Sequence, residues 1–189
     1  MRLRLAWLVL ALCFANSLSA DDPQSAIRDF QSHIAGSSSY SDDQKLSAAK
    51  RIETLAENGT KSAELIADVL SDLHPEFAAG YASFRKGKFA DAIAVLKTLS
   101  ESDDMYVSSE STFYLANAFV LDDDHEAALP LLSDSKFKSS PHSADAMFLL
   151  GVCQKNLLQR ESAMKTFADF LRNYSNASER QRNAAFTQL

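Results

Sequence analysis

Few side chains in this 189-residue sequence are of a type and at a spacing that could do chemistry. The histidines are His33, His74, His125 and His142, and the cysteines are Cys13 and Cys153. A zinc site draws its nitrogen and sulfur ligands from short, paired spacings, and neither His-x-x-x-His nor paired cysteines occur here. Neither a metal nor a cofactor is therefore expected. A Gly-rich phosphate loop and a Gly-x-Ser-x-Gly nucleophile elbow are also missing from the sequence. The densest polar run, Asp122-Asp123-Asp124-His125-Glu126, has enough charge for a divalent cation but lacks the glycine and spaced oxygen ligands of a calcium loop. It reads instead as a solvated turn in which Asp124 caps the helix that follows. Ser100-Glu101-Ser102-Asp103-Asp104 reads as a second such turn. With no nucleophile–base pair and no ligand set in view, the chain is not expected to be an enzyme.

Charge narrows the partners. The formal net charge is -6, from 19 basic and 25 acidic residues, and no basic stripe is present to neutralise phosphates, so nucleic acid is not an expected partner. An apolar share of 46%, with only 5 glycines and 4 prolines, excludes collagen-like and disordered classes and leaves enough apolar mass for a real core. The start of the chain differs from the rest. Arg2 and Arg4 precede an unbroken apolar run from Leu5 to Phe14, and Ser17-Leu18-Ser19-Ala20 leads into Asp21-Asp22-Pro23. A basic flank, a short apolar run and a small-residue exit make residues 1–20 a secretory signal peptide with cleavage expected after Ala20. The run is too short to span a bilayer, which takes ~20 residues, so no membrane span is expected after cleavage. Cleavage would remove Arg2, Arg4 and Cys13 and no acid, leaving Cys153 as the lone thiol and the chain more acidic by two charges. Gly151-Val152-Cys153 lies in an apolar stretch, so Cys153 reads as a small buried hydrophobe. The absence of paired cysteines favours a periplasm over a eukaryotic secretory lumen, with secretion as the alternative.

The elements that must position any site are helical. Ile27, Phe30 and Ile34 recur at spacings of three and four, one apolar stripe. Gly36-Ser37-Ser38-Ser39 breaks that helix, and Ser41 with Gln44 forms a capping box for the next. Leu46, Ala49, Ile52, Leu55 and Ala56 follow, and Asn58-Gly59 stops the run. Leu65, Ile66, Val69, Leu70 and Leu73 define a third helix, which Pro75 ends or bends. Residues 21–73 thus read as an N-terminal helical cap.

From His74 the chain repeats itself. Gly80, Ala116 and Gly151 recur at intervals of 36 and then 35 residues, and Ala92, Ala128 and Ala163 follow each of them by twelve. Leu96, Leu132 and Phe167 come four positions later again. Small residues let two helices cross closely, and the large residues fill the space beside them. A single helix pair cannot bury its apolar face, so successive pairs must stack.

These residues resemble the tetratricopeptide repeat. Gly87-Lys88-Phe89-Ala90-Asp91-Ala92-Ile93 is close to that family's Gly-x-aromatic-x-x-Ala signature. Leu115, Ala116 and Phe119 match its first-helix pattern in the second unit, and Leu150 and Gly151 in the third. The second unit departs from the pattern, with Asp123 and His125 where glycine and an aromatic are expected and Pro130 early in its second helix. The resemblance implies an all-α, right-handed solenoid of stacked antiparallel helix pairs. Its three units lie at about 74–108, 109–143 and 144–175, and residues 176–189 form a C-terminal capping helix.

In the family resembled, first helices line a concave groove that receives a peptide. Carried over by alignment, Phe77, Tyr81, Phe84, Phe113, Asn117, Phe148, Val152 and Lys155 would face it. Each aromatic in that set has the alternative of packing between helices. Only Asn117 and Lys155 resemble the family's basic clamp for acidic C-termini, so such a clamp is not expected here. Two readings stay open at this point: a scaffold that binds a protein segment in the groove, or a self-associating structural array that needs no peptide.

Overall fold

The computed structural model describes residues 23–134, 137 and 140–189, so the signal segment expected at residues 1–20 lies outside the described residues. Three helices lead: α1 (Pro23–Gly36), α2 (Asp42–Glu57) and α3 (Ser62–Leu73). Three antiparallel pairs follow: α4 (Pro75–Arg85) with α5 (Phe89–Leu99), α6 (Met105–Leu121) with α7 (His125–Leu132), and α8 (Ser143–Asn156) with α9 (Arg160–Asn173). A last helix, α10 (Glu179–Phe186), packs on α9. Among the described residues the structure is all-α, and none of its helices is long and apolar enough to cross a membrane.

Local rules account for the boundaries. The Ser41 hydroxyl accepts from the Gln44 amide at 3.2 Å while the Gln44 side chain accepts from the Ser41 amide at 2.9 Å, a complete capping box. Pro75 begins α4 rather than ending α3, at a position where its missing N–H costs nothing. The stripe in α2 is turned from the one expected: Ala48 is buried, whereas Leu46 is 46% exposed. Pro130 is exposed inside α7, a helix of only 8 residues. The second unit's first helix begins at Met105, a few residues before the expected boundary.

Stacking follows the small-residue pattern. Each helix packs on its neighbours in sequence, and the first helices of successive pairs, α4, α6 and α8, also touch. A Cβ on Gly80 would stand 3.0 Å from Leu96, and one on Gly151 would stand 2.7 Å from Phe167. Ala116 and Leu132, the matching residues of the middle pair, are both buried. One geometric demand, close crossing beside a large side chain, is thus met by Gly/Leu, Ala/Leu and Gly/Phe in turn. The turns inside the pairs repeat as well. Gly87, Asp123 and Leu158 all take positive φ (72°, 62° and 59°), the left-handed conformation that ends the first helix of each pair. Leu158 does so with a bulky side chain that is 77% exposed.

The N-terminal helices are tied to the array by a polar hub. Asp104 caps α6, its Oδ1 accepting from the amides of Tyr106 and Val107. Its Oδ2 lies 3.0 Å from His33 Nε2 of α1 and accepts from the Tyr40 hydroxyl at 2.9 Å. Tyr40 in turn lies 2.7 Å from His74 Nε2 at the α3–α4 junction. Burial pushes the Asp104 carboxyl up, but hydrogen bonds from His33, the Val107 amide and Tyr40, with the charge of His33, bring it below the ordinary value. Burial holds the His74 imidazole below its ordinary value, against the opposing charges of Asp104 and Glu76. The sequence presents Asp104 as part of a solvated turn; its carboxylate is instead the meeting point of three separate segments.

Candidate functional site

A cleft of about 370 Å³ lies on the first-helix side of the array. Lys61, the residue before α3, and Ala63 and Glu64 within it line one side, α6 contributes Phe113, Tyr114 and Asn117, and α8 contributes Asp145, Phe148 and Leu149. His142 at the start of α8 and Gln181 of α10 complete the lining. The array therefore curves enough that its N-terminal and C-terminal helices meet one cleft. Gln181 Nε2 donates to Asp145 Oδ1 across that meeting point.

Beneath the cleft lies a buried pair. Glu110 and His142 are each 2% exposed, and Glu110 Oε2 sits 2.8 Å from His142 Nε2. The Phe113 ring stacks on the His142 imidazole with centroids 3.7 Å apart and planes 14° from parallel. Tyr114 meets the same imidazole edge-on at 5.7 Å. Burial, then the charge of Glu110, then Tyr81 and finally Glu64 push the Tyr114 phenol far above its ordinary value, so it stays protonated. The pair bridges α6 and α8 and fixes the wall of the cleft; each of its two buried polar side chains finds its hydrogen-bond partner in the other.

Of the eight residues expected in the groove, the cleft brings together Phe113, Asn117 and Phe148. Phe77 has no exposed surface, Tyr81 is 8% exposed and Phe113 4%, so these three belong to the core, and the expected residues that the cleft leaves open are Asn117 and Phe148. The reason is an aromatic stack: Tyr81 lies 5.9 Å from Phe77 and 4.7 Å from Tyr114, and Phe84 lies 5.2 Å from Tyr114. These rings fill the junction of α4 and α6 that the small residues leave open. Phe84, Val152 and Lys155 lie outside the cleft lining, Lys155 on an exposed surface. Sequence reasoning missed Lys61, Ala63 and Glu64, which sit in the lead-in segment and share no repeat register with the first helices. It also missed the Glu110–His142 pair, whose members are 32 residues apart.

The other candidate chemistry stays structural. Asp122, Asp123 and Asp124 are exposed, and the Asp124 side chain accepts from the Ala127 amide, capping α7. Among the described residues no three His, Cys, Asp or Glu side chains gather as a metal site. Cys153 is fully buried, and burial pushes its thiol up to about 11.

Residues 145–177, most of α8, all of α9 and the turn behind them, match the family model of the tetratricopeptide repeat. No curated protein and no solved structure matches the chain. The match supports a repeat of that type, in agreement with the stacked all-α architecture, and a repeat of that type suggests a protein–protein interaction scaffold.

Proposed function

We infer that the chain is a non-catalytic interaction scaffold that works outside the cytoplasm and holds a segment of another protein in its concave cleft. The observation that carries this reading is the cleft itself, where half-buried Phe148 and Asn117 stand beside Phe113 and the array's two ends converge. An aromatic-walled concavity on a rigid array offers large contact area at low entropic cost. Export rests on the basic, apolar and small-residue order of residues 1–20.

A photo-crosslinking amino acid at Asn117, with a control at exposed Glu126, tests the binding reading in the native host. Expected is a discrete heterologous adduct from position 117 and none from 126. Equal adducts from both positions, or none from 117, would overturn the groove. An adduct of two copies of this chain would transfer the reading to self-association. N-terminal sequencing of the exported protein tests the rest: a start at Asp21 is expected, and retention of Trp7 would refute cleavage.

A further inference from the structure

The cleft has an electrical character of its own. Its rim carries two carboxylates, Glu64 of α3 and Asp145 of α8, against one ammonium, Lys61. Glu110 places a third carboxylate behind the wall, facing His142. Phe148 is the half-buried ring of the lining and offers its surface to whatever lies against it, while Phe113, stacked on His142, and Tyr114 form the buried floor behind. The field that helps keep the Tyr114 phenol protonated, to which Glu110 and Glu64 both contribute, favours a positive charge at the same place.

Other occupants fit less well. An acidic side chain or chain terminus would meet Glu64 and Asp145 with only Lys61 to offset them, at the cost of like-charge contact. An aliphatic side chain would strip water from both carboxylates and return no hydrogen bond. A long cationic side chain satisfies every part of the lining, because its methylene stem is apolar and its head donates to carboxylates and lies over a ring. Asp145 keeps acceptor capacity for it, since Gln181 engages only Oδ1. The volume of about 370 Å³ holds one such side chain with its neighbouring backbone.

We propose that the cleft takes the side chain of a lysine or arginine presented by a segment of the partner protein, with the stem against half-buried Phe148 and Leu149 and the charged head between Glu64 and Asp145. This rests on the groove reading above and names the chemistry of its occupant.

The test uses the chain folded as exported and an array of short random peptides. Each peptide that binds is remade with lysine replaced by norleucine and arginine by citrulline. Neutralising one cationic residue is expected to weaken binding about ten-fold. Glu64→Gln and Asp145→Asn should each do the same to the unmodified peptides. Lys61→Gln should tighten them, because it removes the one opposing charge. Asp145→Asn keeps the oxygen that accepts from Gln181, so it leaves the α8–α10 contact in place, and circular dichroism confirms that each variant is folded. Peptides that bind equally well without their cationic residues, or that ignore Glu64→Gln and Lys61→Gln, would overturn the cationic occupant and leave the groove standing. If no peptide on the array binds, the groove reading falls and this inference with it.

Discussion

Replacing Gly151 with alanine should destabilise this protein, although the same exchange inside most helices stabilises it. Alanine ordinarily gains about 1 kcal/mol over glycine at an interior helical position. At position 151 the new Cβ would lie 2.7 Å from Phe167 Cε1, 2.9 Å from Cζ and 3.0 Å from Cδ1, where carbon atoms prefer about 3.5–4.0 Å. The ring has nowhere to retreat: Phe167 is 1% exposed and packs against Phe148, centroids 5.9 Å apart. The two helices must part instead, and a contact as short as 2.7 Å puts the cost at the upper end of the overpacking range, about 2–3 kcal/mol. After the propensity gain is set against it, the net loss is about 1–2 kcal/mol, or roughly 2–8 °C in Tm for a chain of this size. The second exchange comes from the molecule itself, since the middle pair solves the same crossing with Ala116 and Leu132, both buried. Gly151→Ala combined with Phe167→Leu recreates that pairing, so the double variant should be more stable than the two single losses predict, with a coupling of about 1 kcal/mol or more. Gly36→Ala is the control, because its Cβ meets nothing within 4 Å; it should be neutral or stabilising. Urea and thermal unfolding followed by circular dichroism read all four proteins. A Gly151→Ala variant as stable as wild type, or strictly additive losses in the double variant, would refute the packing argument.

Leu158→Gly should stabilise the protein by about 1 kcal/mol in urea unfolding, since a side chain at positive φ costs about 1–2 kcal/mol and glycine gives back part of that in unfolded-chain entropy. Asp104→Ala removes the cap of α6 and the acceptor shared by His33 and Tyr40; a loss of about 2–3 kcal/mol is expected, with amide exchange in α1 rising by the same factor. Stability should also depend on acid in two steps. His74 is depressed in the folded state, so its contribution is full above its unfolded value of 6.5 and is lost as pH falls below it, whereas the depressed Asp104 carboxyl gives a second loss below 3.8. Unfolding measured across that range should show the upper step vanish in His74→Gln and the lower one shrink in Asp104→Asn. Cys153, fully buried with its thiol pushed up to about 11, should react with a thiol reagent only at the rate of unfolding.

The fold was legible where physics leaves a local period. Close helix crossings demand small residues at fixed intervals, and Gly80, Ala116, Gly151, Ala92, Ala128 and Ala163 carry that demand openly. The left-handed turn was legible only at Gly87, because neither Asp123 nor Leu158 has a side chain that announces positive φ. The cleft was legible in part. Alignment finds Asn117 and Phe148 because they sit on first helices, but it cannot separate them from Phe77, Tyr81 and Phe113, whose rings end in the core. What decides between them is how far the array curves and which lead-in helix closes over it. Neither quantity has a sequence period, and so Glu64 of α3 joins the site unannounced. The same holds for Asp104 and His33, partners at a separation of 71 residues.

That last separation alters how the molecule comes apart. An array whose units touch only their neighbours unravels from either end, one unit at a time. Here the Asp104 hub leaps from α1 over the whole α4–α5 pair to the start of α6. The front end is thus buckled shut, and α4–α5 cannot peel away before a loop closed across those 71 residues is opened as a unit. The far end is tied more lightly: one hydrogen bond from Gln181 of α10 reaches over α9 to Asp145 of α8, and α10 otherwise rests on a small cluster of Phe167, Phe170, Ala163 and Ala185. Fraying, proteolysis and exchange are therefore expected to begin at the more lightly held α10 rather than at the front end.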